Sequence, residues 1–171
     1  MKINDYIKVD DKTGPRGYVI FKKADGTVIF EKENLIVNEG RKYVRELFIK
    51  NAFTTSKFVY NNQYDDYELT KIAFGSAGSA TSLDTDALGD IIDTTIDLTK
   101  ELIEASTGQM YIVFKGSMTP DSGQVVRELG LYLTDASEGG VKSDILFSRV
   151  VFDAAPVEAD ETYNLDYYLY F

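Results

Sequence analysis

The densest set of potential ligand oxygens in the chain lies at Asp84-Thr85-Asp86-Ala87-Leu88-Gly89-Asp90. Carboxylates at alternate positions ahead of a glycine superficially resemble a calcium loop, and Gly89 stands where such a loop turns. The spacing then fails, because the third ligand position is Leu88 and Thr95 occupies the place of the bidentate glutamate. The segment reads instead as a turn whose aspartates bond local amides. Gly75-Ser76-Ala77-Gly78 follows an apolar strand but has neither the lysine of a phosphate loop nor the glycine spacing of a dinucleotide site, so it reads as a tight turn. Asp65, Asp66 and Glu68 could pair with Asp153 or Glu158 as acid and base for glycoside cleavage, but no motif joins them. Arg127, Glu128 and Arg149 are charges inside strand-like runs, where cross-strand pairs or interface contacts are the expectation.

Other chemistry is excluded by what the chain lacks. Its 171 residues include no cysteine and no histidine. That removes disulfides, thiolate catalysis, thiolate metal sites, the commonest general base and the commonest zinc ligand. No catalytic, cofactor-binding or metal residue is assigned, and an enzyme is not expected. The formal net charge of −10 opposes a nucleic-acid partner, since phosphate binding needs a positive surface. The one local concentration of cations, Arg41, Lys42 and Arg45, reads as a solvated helix face. Met1-Lys2-Ile3-Asn4-Asp5 lacks the apolar core of a signal peptide, and no apolar run approaches the ~20 residues of a membrane span. Cytoplasmic synthesis and no membrane partner are therefore expected. Two tyrosine clusters stand out: Tyr60, Tyr64 and Tyr67, then Tyr163, Tyr167, Tyr168 and Tyr170. Tyrosine suits both an aromatic sheet core and an oligomer or partner interface, so these seven are the candidate interface residues.

The elements that must position these groups are mostly strands. A 13% aromatic fraction with no tryptophan suits pleated surfaces. Tyr18–Lys23 and Thr27–Phe30, separated by Asp25-Gly26, predict a β-hairpin. With the polar residues before it, this hairpin is read as a docking element over 1–33, set against a core domain over 34–171. From Asn38, a plausible N-cap, to about Asn51, Tyr43, Val44, Leu47 and Phe48 recur at helical spacing. Arg41, Lys42, Arg45, Glu46 and Lys50 fall mostly off that face. Ala52 to Glu68 reads as a loop that contains a short strand at Lys57 to Tyr60. Strands follow at Leu69–Phe74, at Ile91–Leu98 with an extension toward Glu104, and at Met110–Lys115. In Gln124–Thr134, Val125, Leu129, Leu131 and Leu133 share a parity. Ile145–Phe152 is apolar on both parities, as in a strand covered on both faces. Last, Tyr163, Leu165, Tyr167, Leu169 and Phe171 oppose Asn164, Asp166, Tyr168 and Tyr170. The fold class predicted is mainly β: an antiparallel β-sandwich or barrel-like sheet with one flanking amphipathic helix and an N-terminal hairpin.

Several segments, in order, resemble a family of small bacteriophage structural proteins of the tail fibre, tail collar and baseplate. They are Asn34–Arg41, Ile72–Gly78, Thr81–Leu88, Glu128–Tyr132, Leu146–Phe152 and the closing tyrosine strand, and they span about residues 34 to 171. The resemblance implies a virion tail component, made in the host cytoplasm, that assembles with copies of itself and with other tail proteins. It implies no activity. The alternatives are a carbohydrate-binding module of a host-recognition fibre, with host-surface glycan as partner, and a neck or capsid decoration protein.

Overall fold

The computed structural model describes residues 16–52, 64, 66–96, 98–104, 110–137 and 142–170. The expected arm over 1–15, the strand at Lys57 to Tyr60, and residues Tyr60, Asp65 and Phe171 lie outside the described residues. Among the described residues nine strands and one helix follow in order: β1 (Arg16–Lys23), β2 (Val28–Ile36), α1 (Asn38–Ala52), β3 (Tyr67–Gly75), β4 (Ile91–Ile96), β5 (Thr99–Glu104), β6 (Met110–Met118), β7 (Gln124–Asp135), β8 (Ile145–Val157) and β9 (Tyr163–Tyr170). The fold is mainly β, and every strand pairing is antiparallel. The strands form one sheet in the order β4-β3-β7-β8-β2-β1-β9-β6-β5. No helix among the described residues is long and apolar enough to cross a membrane.

The sheet doubles over at β2. Its last residues, Leu35 and Ile36, pair with Arg149 and Ser148 of β8, while the rest of β2 pairs with β1. A first layer (β2, β1, β9, β6, β5) thereby faces a second (β4, β3, β7, β8). Alternation decides which side chains meet between them. Val19 and Phe21 of β1 and Leu165 and Tyr167 of β9 share one core with Ile72 and Phe74 of β3 and Leu129 and Leu131 of β7. The rings of Phe21 and Phe74 lie 6.0 Å apart across the layers. The far rims also approach, where the Thr95 hydroxyl of β4 donates to the Ser117 carbonyl of β6, but among the described residues no ladder joins them and the barrel does not close.

The predicted hairpin forms about Gly26, whose φ of 89° an L-residue avoids. It stands in the middle of the sheet, with β9 on its other flank, and the division expected at 33/34 falls inside β2. The helix follows β2 without a loop. Asn38 is not its N-cap: the Val37 carbonyl already accepts from the Arg41 amide, so Val37 holds the capping position. The Asn38 side chain donates instead to Asp84 Oδ1 at 2.8 Å. Tyr43 and Val44 are buried as the helical spacing predicts. Glu46, read as off that face, is buried too and pairs with Arg45 at 2.8 Å.

Two further readings are corrected by the fold. The single strand expected from Ile91 toward Glu104 is two strands at opposite ends of the sheet order, β4 on β3 and β5 on β6. Leu98 between them is buried in the core, so the chain passes from one rim to the other there. In β7, Val125 does not share the inward parity of Leu129. The ladder to β8 shifts between Val126 and Glu128, and this bulge turns Val126 inward and leaves Val125 exposed.

Candidate functional site

The outer face of the second layer carries the charges. On β7 the residues pointing outward are Glu128, Gly130 and Tyr132, because Leu129, Leu131 and Leu133 point into the core. Arg149 of β8 lies directly across from Gly130, diagonal to Glu128. Its Nε donates to Glu128 Oε2 at 2.7 Å, and its Nη2 reaches the same oxygen at 2.6 Å. Both side chains are buried, at 3% and 0% exposure, so each would be costly without the other.

The pair also holds a roof. The free oxygen, Glu128 Oε1, accepts from the amides of Gly89 at 2.9 Å and Asp90 at 3.3 Å. Arg149 Nη2 donates to Ser79 Oγ at 3.1 Å. The Leu88 amide donates to Tyr132 Oη at 3.0 Å, and Leu88 packs with Val37, Ala73, Tyr132 and Leu146. Residues 76–90 are thus strapped over the outer face of the second layer. Gly75 permits a close approach, since a Cβ there would stand 2.6 Å from Glu128 Oε1. Gly40 plays the same part for the helix, where a Cβ would overlap the Phe147 carbonyl. The turn at Ser82–Thr85 is real, but its aspartates do not bond local amides: Asp84 accepts from the Asn38 side chain at the start of the helix, and Asp90 Oδ2 closes the loop by accepting from Ser76 Oγ at 2.6 Å. Among the described residues no three carboxylates gather as a metal site would require.

The acid and base considered for glycoside cleavage are not brought together. Asp66 pairs with Lys142 at 2.5 Å and Glu68 with Lys100 at 3.3 Å, beside the β7 residues Thr134 and Asp135. Glu158 follows Val157, which pairs with Gln124 at the other end of β7. The 12-residue length of that strand puts roughly 35 Å between them.

Six of the seven candidate interface tyrosines are described, and all six are buried: Tyr64, Tyr67, Tyr163, Tyr167, Tyr168 and Tyr170. Tyr64 and Tyr67 close the end of the core beneath the helix, where Tyr64 Oη donates to Glu39 Oε2 at 2.6 Å. Tyr163 and Tyr167 face inward. Tyr167 accepts from Asn34 Nδ2 at 2.9 Å, and burial pushes its hydroxyl pKa up to about 12. Tyr168 and Tyr170 lie on the outer face of the first layer with Val113, against Tyr18, Ile20, Ile103 and Tyr111. Among these six, no ring is left open for stacking on a sugar, because each is buried against neighbouring side chains.

The feature with no warning in the sequence is a groove between β2 and β8. It has a volume of about 660 Å³ and is lined by Ile29, Phe30, Arg127, Phe152 and Pro156 among others. It lies beside the bulge in the β7–β8 ladder, where the extra residues belong to β8. Between the pairs Val126↔Ala155 and Glu128↔Val151, β7 has one residue and β8 has three, so Phe152–Ala154 arch away from the sheet.

No protein-family model, no curated protein and no solved structure matches the chain.

Proposed function

We propose that this chain is a non-enzymatic structural protein of a bacteriophage virion. In this reading it is a tail component, a fibre adaptor or a baseplate or collar subunit, that joins copies of itself and other tail proteins. The observation that supports it best is spatial. Five of the six segments that carry the family resemblance, Asn34–Arg41, Ile72–Gly78, Thr81–Leu88, Glu128–Tyr132 and Leu146–Phe152, converge on the strapped face of the second layer; the sixth, the closing tyrosine strand, lies in the first layer. Val37, Ala73, Leu88, Tyr132 and Leu146, one from each of these five segments, form one cluster, and Glu128 and Arg149 pair with each other and hold Ser79, Gly89 and Asp90, which flank the loop segments. Residues arranged to fix one rigid shape suit a building block that must present the same surfaces in every copy. Light scattering over a concentration series tests the reading. A discrete trimer, hexamer or larger ring is the expected result. A monomer at every concentration that also binds host cell-wall glycan saturably would replace it with the carbohydrate-recognition reading, and turnover of polysaccharide or peptidoglycan would replace it with an enzyme.

A further inference from the structure

The strands that join the two layers also leave them ajar. β2 meets β8 at only two residues. Beyond them, among the described residues, Val28–Asn34 and Val150–Val157 face each other across the groove with no strand between. Each row presents backbone amides and carbonyls along an open edge. Lys32 Nζ reaches across to the Val151 carbonyl at 2.9 Å. A second hollow of about 410 Å³ shares Lys32, Gly78 and Val151 with the first and carries the groove on toward the joint. Phe30 and Phe152, stacked with ring centres 3.7 Å apart, give it an apolar surface that rests on the core. Two rows of backbone that, among the described residues, no strand pairs, beside an aromatic pair, are the complement of an extended polypeptide, with Lys32 holding the Val151 carbonyl in the meantime.

The chain supplies such a segment outside the described residues. In Lys2-Ile3-Asn4-Asp5-Tyr6-Ile7-Lys8-Val9-Asp10, Ile3, Ile7 and Val9 share one parity with Asp5, and Lys2, Asn4, Lys8 and Asp10 share the other with Tyr6, so the alternation breaks at Asp5-Tyr6. The run Ile7–Asp10 keeps the alternating pattern of a half-buried strand. The 15 residues ahead of Arg16 can reach about 50 Å when extended. They enter β1 at the end where Gly17 lies opposite Asn34, beside the joint that closes the groove. An arm of the same copy would have to turn around that joint, whereas an arm from a neighbour has the open end, near Ile29 and Pro156.

We propose that residues 2–10 of one copy add as a β-strand between β2 and β8 of the next, with Ile7 and Val9 on Phe30 and Phe152. The contact is head-to-tail, so repetition gives a ring or a filament. This inference rests on the assembly reading above and names its interface. Two full-length variants test it by sedimentation velocity. Ile7→Asp spoils the arm and leaves the groove; Ala154→Arg fills the groove at an exposed residue and leaves the arm. Each alone is expected to sediment as a monomer, and an equimolar mixture as a two-chain species, because one intact arm meets one intact groove. A labelled peptide of residues 1–12 is expected to bind the Ile7→Asp chain saturably and the Ala154→Arg chain at least about tenfold more weakly. If Ile7→Asp assembles as the unaltered chain does, the groove is not the interface, yet the assembly reading stands. If the unaltered chain is monomeric throughout, the peptide alone decides: binding supports the groove, and no binding overturns it.

Discussion

The two layers finish their outer faces by different physics. The second is roofed by residues 76–90, held through a buried ion pair and directional bonds to Gly89, Asp90 and Ser79. The first is faced by rings: Tyr111 lies 5.7 Å from Tyr168 and 5.3 Å from Tyr170. A buried charge pair is a poor source of net stability, because desolvation offsets most of the attraction, but it is intolerant of any other arrangement. Aromatic packing is the reverse: it contributes through area and accepts substitution. The roofed face therefore sets shape, and the tyrosine face adds stability.

Removing one charge breaks this contrast most sharply. Arg149→Ala strands Glu128 and is expected to cost about 3–5 kcal/mol in urea unfolding. The double change Glu128→Leu with Arg149→Met recovers most of that, while the Gly89 and Asp90 amides exchange faster than in the parent. Recovery of stability and protection together would mean that the pair does not hold the roof. Alkali probes the tyrosines. Burial first of all pushes the Tyr167 hydroxyl to about 12, so the folded state keeps a proton that the unfolded chain loses near 10. Its contribution is complete below pH 10 and is lost as pH rises through 12, worth about 2–3 kcal/mol. Tyr167→Phe should flatten that part of the pH–stability curve. Gly40→Ala forces α1 off the Phe147 carbonyl and is expected to cost about 1–3 kcal/mol, read as a fall in melting temperature. Tyr168→Leu on the ring face should cost only about 1 kcal/mol. The smallest effect belongs to Asp135→Asn. The Ser137 hydroxyl first, then the Lys142 and Ser137 amides, hold this carboxyl at about 2, below its ordinary 3.8. That stabilisation is present above pH 4 and vanishes as pH falls through 2, so the variant and parent should converge in acid.

Local signals in the sequence were readable wherever local chemistry decides the structure. Asp25-Gly26 specified a turn because the Thr27 amide donates to Asp25 Oδ1 and Gly26 takes a positive φ. The double-sided apolar run in β8 foretold cover on both faces, and both are covered, Phe147 and Val150 by the core and Leu146 by the roof. The alternation in β9 sorted Tyr163 and Tyr167 from Tyr168 and Tyr170 correctly, but alternation says nothing about what lies over the outer pair. The break between β4 and β5 carries no glycine or proline, and only the separation of the two rims requires it. The groove was invisible for a similar reason: a bulge is a mismatch between two strands, and neither strand contains it alone. Arg149 and Glu128 were legible as strand charges that make cross-strand pairs or interface contacts, though neither as partners of each other nor as the anchor of a loop more than 35 residues away.

β1 pairs along its whole length with β9, Arg16 against Tyr170 and Lys23 against Tyr163. Those partners lie at opposite ends of the described chain, so the flank of β1 stays bare until nearly all of it has left the ribosome. At roughly 5–20 residues per second that interval is on the order of ten seconds. Topology of this kind folds slowly, since loop closure must precede the contacts that reward it. The hairpin, first to form, spends that time as an unpaired edge bearing Val19 and Phe21, and this is the moment at which a chaperone would bind it or a neighbouring nascent chain would capture it.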